Sequence, residues 1–127
     1  EKEKQMGMYT ELVLKCRIKR DCPEQIKGVL NKLFNEKEYA GELPAHPFFS
    51  CDRWGHIGSS CSFYHVPWYD SKYERNYIFS RCDLKNYGNE IQNFINWLDP
   101  YIDEQSGTCI GWRWYEEDNK PTLVFKQ

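Results

Sequence analysis

Hydrophobic and polar residues alternate strictly over residues 9–20, YTELVLKCRIKR. Leu12, Leu14, Cys16 and Ile18 fall on one side, with Glu11, Val13, Lys15, Arg17 and Lys19 on the other. That period of two is the pattern of a strand with one buried face. The following segment, DCPEQIKGVLNKLFN, changes period. Ile26, Val29, Leu30, Leu33 and Phe34 recur at helical spacing, Pro23 sits near the first turn, and Asp21 or Cys22 is the candidate cap. Residues 36–60 have no period and are punctuated by Gly41, Pro44, Pro47, Gly55 and Gly58. Within them a short helix is expected from Pro47 to Trp54, closed by Gly55.

A second strand is expected over 60–66, SCSFYHV, ended or kept at an edge by Pro67. The polar stretch PWYDSKYERN then predicts a loop, and YIFSRCDL at 77–84 a third strand. In NEIQNFINWLDPYID the apolar residues Ile91, Phe94, Ile95, Leu98 and Tyr101 return to helical spacing, with Asn86 or Asn89 as cap. Pro100 lacks an amide hydrogen and ends or kinks that helix near Asp99. TCIGWRWYEE and PTLVFK read as two strands joined through Asp118-Asn119-Lys120. The order is β-α-β-β-α-β-β. It predicts an α+β fold with an antiparallel sheet and two helices on one face, a ferredoxin-like split βαβ sandwich with one added C-terminal strand. Residues 9–127 form one domain. Residues 1–8, charged and without an apolar core, read as a tail or expression remnant with Met8 as a candidate start.

Composition sharpens this picture. Five Trp, nine Tyr and seven Phe slightly outnumber all the Leu, Ile and Val, so the core must be built from rings. A net charge of −2 and the absence of any apolar run near about 18 residues exclude a strongly basic DNA-coating protein and a membrane span. Six dispersed cysteines, none in a CxxC pair, point to a reduced, cytoplasmic chain over a disulfide scaffold.

Chemistry-bearing residues concentrate in HPFFSCDRWGHIGSSCSFYH. Cys51, His56, Cys61 and His65 are ligand types that zinc accepts, but a zinc knuckle begins from a cysteine pair two to four residues apart, and Cys51 and Cys61 lie farther apart. Cys51 and His56 could act as nucleophile and base with Asp52 orienting the histidine, yet no strained nucleophile turn or glycine-rich phosphate loop accompanies them. No metal, no cofactor and no enzymatic activity are expected, and a small enzyme or zinc site in the 46–65 segment stands as the second alternative.

Binding is the stronger reading. Trp54, Trp68, Tyr69 and Tyr73 occupy connections, where large aromatics serve as interface anchors. Asp99, Asp103, Glu104, Glu116, Glu117 and Asp118 form one acidic patch if the second helix ends near the C-terminal hairpin, and such a patch steers a basic partner. The alternative is single-stranded nucleic acid, bound by Tyr77 and Phe79 stacking beside Lys15 and Arg17 on the open sheet face. The plainer arrangement instead places Phe79 in the core, since a one-residue shift in register inverts every assignment.

ELPAHPFFSCDRW, LKNYGNEIQNFINWLDPYID and GWRWYEEDNKPTLVF, with the opening YTELVLKCRIKRDCPEQI, together resemble short uncharacterised proteins encoded by bacteriophages and prophages. The resemblance runs from Tyr9 onward. It implies an intracellular protein acting in a bacterial host, from a gene class rich in small host-modifying factors, and it assigns no activity, cofactor or residue role. The reading that follows is a non-enzymatic interaction module binding a bacterial protein, such as a defence or regulatory protein.

Overall fold

The computed structural model describes residues 8–58, 68–70 and 76–127, with the backbone alone at 68–70. Strand β1 (Thr10–Ile18) buries Leu12, Leu14, Cys16 and Ile18, as its alternation requires. Helix α1 (Glu24–Asn35) buries Ile26, Val29, Leu30, Leu33 and Phe34 against it. Neither Asp21 nor Cys22 caps this helix: Pro23 holds the N-cap position without a side-chain bond, and Cys22 is drawn into the core. Burial pushes the Cys22 thiol up to about 11.

Two single-turn 3-10 helices, Pro47–Ser50 and Trp54–Ile57, replace the one short helix expected at 47–54. His46 Nδ1 accepts from the Phe48 amide and starts the first turn, and Cys51, extended at ψ 141, breaks it. Gly55 therefore lies inside the second turn, and the segment closes at Gly58. A Cβ there would stand 1.8 Å from the Leu33 carbonyl oxygen, so only glycine permits this approach to α1.

Strand β2 (Trp68–Asp70) lies where a loop was expected, pairing with Tyr77–Phe79 along one edge of the sheet. Trp and Tyr are residue types that favour strands, and they outweigh the loop suggested by the polar residues after them in the sequence. The expected strand over 60–66 lies outside the described residues. Strand β3 (Asn76–Leu84) turns Ile78, Ser80, Cys82 and Leu84 inward.

Helix α2 (Glu90–Leu98) is followed by a 3-10 turn over Asp99–Tyr101 that absorbs Pro100. Both asparagines contribute to its start. Asn89 takes the N-cap position with φ 59, while Asn86 Oδ1 accepts from the Ile91 amide at 2.9 Å. Strands β4 (Cys109–Tyr115) and β5 (Thr122–Phe125) complete an antiparallel sheet ordered β2-β3-β1-β4-β5. Beside the bulge in β4, Gly111 approaches β1 so closely that a Cβ would lie 2.0 Å from the Val13 carbonyl oxygen.

The fold is thus α+β, with both helices on one side of the sheet. Phe34 of α1 meets Phe94 of α2 at 6.2 Å, and both belong to the core shared with the inward residues of β1 and β3. Phe48 anchors a second ring cluster, stacking on Trp97 at 5.9 Å and tilting against Phe94 at 5.3 Å. Among the described residues no helix is long and apolar enough to cross a membrane.

Candidate interaction surface

The strand pairing determines what the other side of the sheet displays. Lys15 lies opposite Phe79, Arg17 opposite Tyr77 and Val13 opposite Arg81. On the other flank of β1, Val13 faces Trp112 and Glu11 faces Trp114. Leu123 pairs with Trp112, and Phe125, two residues on, shares its side. No described helix covers this face. Phe79, Trp112, Trp114, Leu123 and Phe125 remain between 37% and 52% exposed on it. Burying Phe79 in the core, the plainer expectation, is therefore corrected: the inward parity of β3 is taken by Ile78, Ser80 and Cys82.

Charges on this face are largely matched to one another. Glu11 accepts from Arg81 Nε at 2.6 Å and from Trp112 Nε1 at 3.3 Å, which ties the indole to the ion pair. Arg17 is held at the opposite end by Glu104, which accepts from its backbone amide and its guanidinium, both at 3.0 Å. The Arg17 bond holds the Glu104 carboxyl below its ordinary value. Lys15 is exposed and has no bonded partner among the described residues. Among the described residues the face is thus apolar rings and aliphatics with internally neutralised ions and the unmatched ammonium of Lys15.

The residues expected in an acidic and aromatic interface fall elsewhere. Trp54 is half-buried, packing edge-on against Phe49 at 5.1 Å and Phe48 at 6.0 Å, so it supports the fold. Trp68 and Tyr69 lie on the edge strand β2, where only the backbone is described. Glu116, Glu117 and Asp118 are exposed at the β4–β5 turn, with Glu116 tied to Tyr9 through both its carboxylate and its amide. Asp99 instead bonds Lys126 and the Gln127 amide, and Glu104 bonds Arg17. The single acidic patch is corrected: these groups divide between opposite ends of β4, whose seven residues span about 20 Å.

Cys51 does not sit as an activated nucleophile. Its thiol donates to the Gly88 carbonyl at 3.2 Å, and burial together with Glu90 raises it above its ordinary value, the reverse of what a reactive thiolate requires. Cys61 and His65 lie outside the described residues, and among those described no three metal-binding side chains come together.

One anchor of the scaffold was missed by sequence reasoning. Glu90, fully buried at the first turn of α2, accepts from the Arg53 amide at 3.1 Å and the Gly88 amide at 3.0 Å. Acidic residues are favoured at a helix start, the one local signal available. The apolar outer parity of W-x-W and L-x-F was the missed signal for the open face. Compared with family models, with curated proteins and with solved structures, the chain matches none.

Proposed function

We propose that the chain is a non-enzymatic protein-interaction module that binds its partner through the open face of the sheet. The observation that carries this reading is the set of five large apolar side chains exposed together on that face, beside ions already neutralised in pairs. An apolar surface of this kind is kept exposed at a cost in solubility, and contact with another protein is its usual use. Matched ion pairs at its rim lower the penalty of drying the surface. The phage resemblance makes the partner a bacterial protein met in the cytoplasm, of the defence or regulatory kind. The strand order and the placement of both helices support a ferredoxin-like split βαβ core extended by β5.

Single-stranded nucleic acid is the second reading, favoured by the Lys15–Phe79 and Arg17–Tyr77 cross-strand pairs. It ranks second because Arg17 and Arg81 are already bound by carboxylates and the chain carries a net −2 charge.

Capture from nuclease-treated bacterial lysate by the natural chain and by a Phe79→Ser, Leu123→Ser variant tests the first reading. A near-stoichiometric protein retained by the former and lost by the folded variant supports it. Equal capture by both overturns the assignment to this face. A labelled oligonucleotide bound at low salt, with affinity falling steeply as salt rises, moves the second reading to first place.

A further inference from the structure

On the helix side of the sheet, at the end opposite the Arg17–Glu104 bond, lies a cavity of about 430 Å³ that the proposed function does not use. Thr10, Arg113, Tyr115 and Thr122 line it from the sheet, Tyr87 from the β3–α2 connection and Asp118 from the β4–β5 turn. Its volume is at the small end of cavities that hold metabolites.

Two residues of opposite charge line this space, and no ion pair joins them among the described residues. Arg113 points toward α2, where its Nη1 donates to Gln92 Oε1 at 2.7 Å. No carboxylate neutralises it among the described residues. Asp118 is fixed by its backbone, donating to the Tyr115 carbonyl at 2.9 Å and accepting from Trp114 Nε1 at 3.0 Å. Its carboxylate has no bonded partner among the described residues. Arg113 can take a ligand carboxylate through the donors left over from Gln92, and Asp118 can take an ammonium group. The hydroxyls of Thr10 and Thr122 add neutral hydrogen-bonding groups. Desolvation, then Glu117 and Glu116, raise the Tyr115 phenol above its ordinary value, so it also stays neutral.

We propose that this cavity binds a free α-amino acid in its zwitterionic form, with Arg113 on the carboxylate and Asp118 on the ammonium. A phosphate ester suits it less, because the lining supplies one guanidinium, at Arg113, and a carboxylate, at Asp118. The site lies on the side of the sheet away from the open face, so it stands independently of the proposed function.

The test titrates isotope-labelled full chain with L-alanine, L-serine, L-glutamine, L-leucine and L-phenylalanine singly, to about 10 mM, following backbone amide shifts. We expect at least one to give saturable shifts at Thr10, Arg113 and Asp118. Its N-acetyl and carboxamide derivatives, each lacking one charge, should bind about tenfold more weakly or worse. Arg113→Gln and Asp118→Asn should weaken binding by a similar factor. Asp118 lies on an exposed turn, so its variant keeps the test valid if Arg113→Gln fails to fold. Absence of saturable shifts with the whole panel overturns the proposal. So does equal binding of the derivatives, or unchanged affinity in the folded variants.

Discussion

Two groups of aromatic residues occupy opposite sides of one sheet, and they do opposite work. On the helix side, Phe48, Phe94 and Trp97 interlock at 5.3–6.0 Å and leave almost no surface. On the open side, Phe79, Trp112 and Trp114 stand apart in register with Lys15, Val13 and Glu11. The first group replaces the aliphatic residues this chain lacks, drawing a glycine- and proline-punctuated segment onto α2. The second adds little to folding, because its area stays in water, and is available to a partner. Residue type therefore does not separate structure from function here; the side of the sheet does.

The largest expected effect comes from breaking the inner group. Phe48→Ala removes a fully buried ring at the centre of the cluster and should cost about 3–5 kcal/mol in denaturant unfolding, with residues 47–57 losing amide protection first. Glu90→Ala follows, at about 2–3 kcal/mol, since it leaves the Arg53 and Gly88 amides unpaired. A loss below about 0.5 kcal/mol would mean that these amides find other partners.

The outer group should answer differently. Phe79→Ser with Leu123→Ser should change unfolding free energy by no more than about 1 kcal/mol while abolishing partner capture. A loss as large as that of Phe48→Ala would erase the distinction between the two sides. The smallest effect is a pH dependence. Glu104 is held below its ordinary value by Arg17, so the bond's contribution is present above the unfolded glutamate value of about 4.3 and fades as pH falls through the folded value. Glu104→Gln should flatten that part of the stability–pH curve, measured by urea midpoints across the acid range.

The elements visible in the sequence were those whose periods need no distant partner. β1 and both helices follow from the spacing of Leu12 to Ile18, Ile26 to Phe34 and Ile91 to Leu98. The paired 3-10 turns at 47–57 were not visible because contacts far along the chain position them, Glu90 on Arg53 and Gly88 on Cys51. β3 was ambiguous for another reason. Both of its parities carry large apolar residues, Ile78 and Leu84 on one and Tyr77 and Phe79 on the other, so alternation alone could not choose the buried side. The open face was legible only in part: Lys15, Arg17, Tyr77 and Phe79 were named together, while Trp112, Trp114, Leu123 and Phe125 were read only as hairpin. That both parities of β4 and β5 hold apolar side chains became informative once the helices were known to cover one of them.

The division of rings across the sheet also gives the molecule two optical environments. Trp97 is enclosed by Phe48, Phe49 and Phe94, and its indole nitrogen has no hydrogen-bond partner among the described residues. Trp112 and Trp114 face solvent. Under selective excitation the enclosed indole should emit at shorter wavelength and resist acrylamide, whereas the outward pair should emit at longer wavelength and be quenched readily. In a chain with Trp54 and Trp68 replaced by Phe, a partner on the open face would shield Trp112 and Trp114 and leave the Trp97 component as an internal standard.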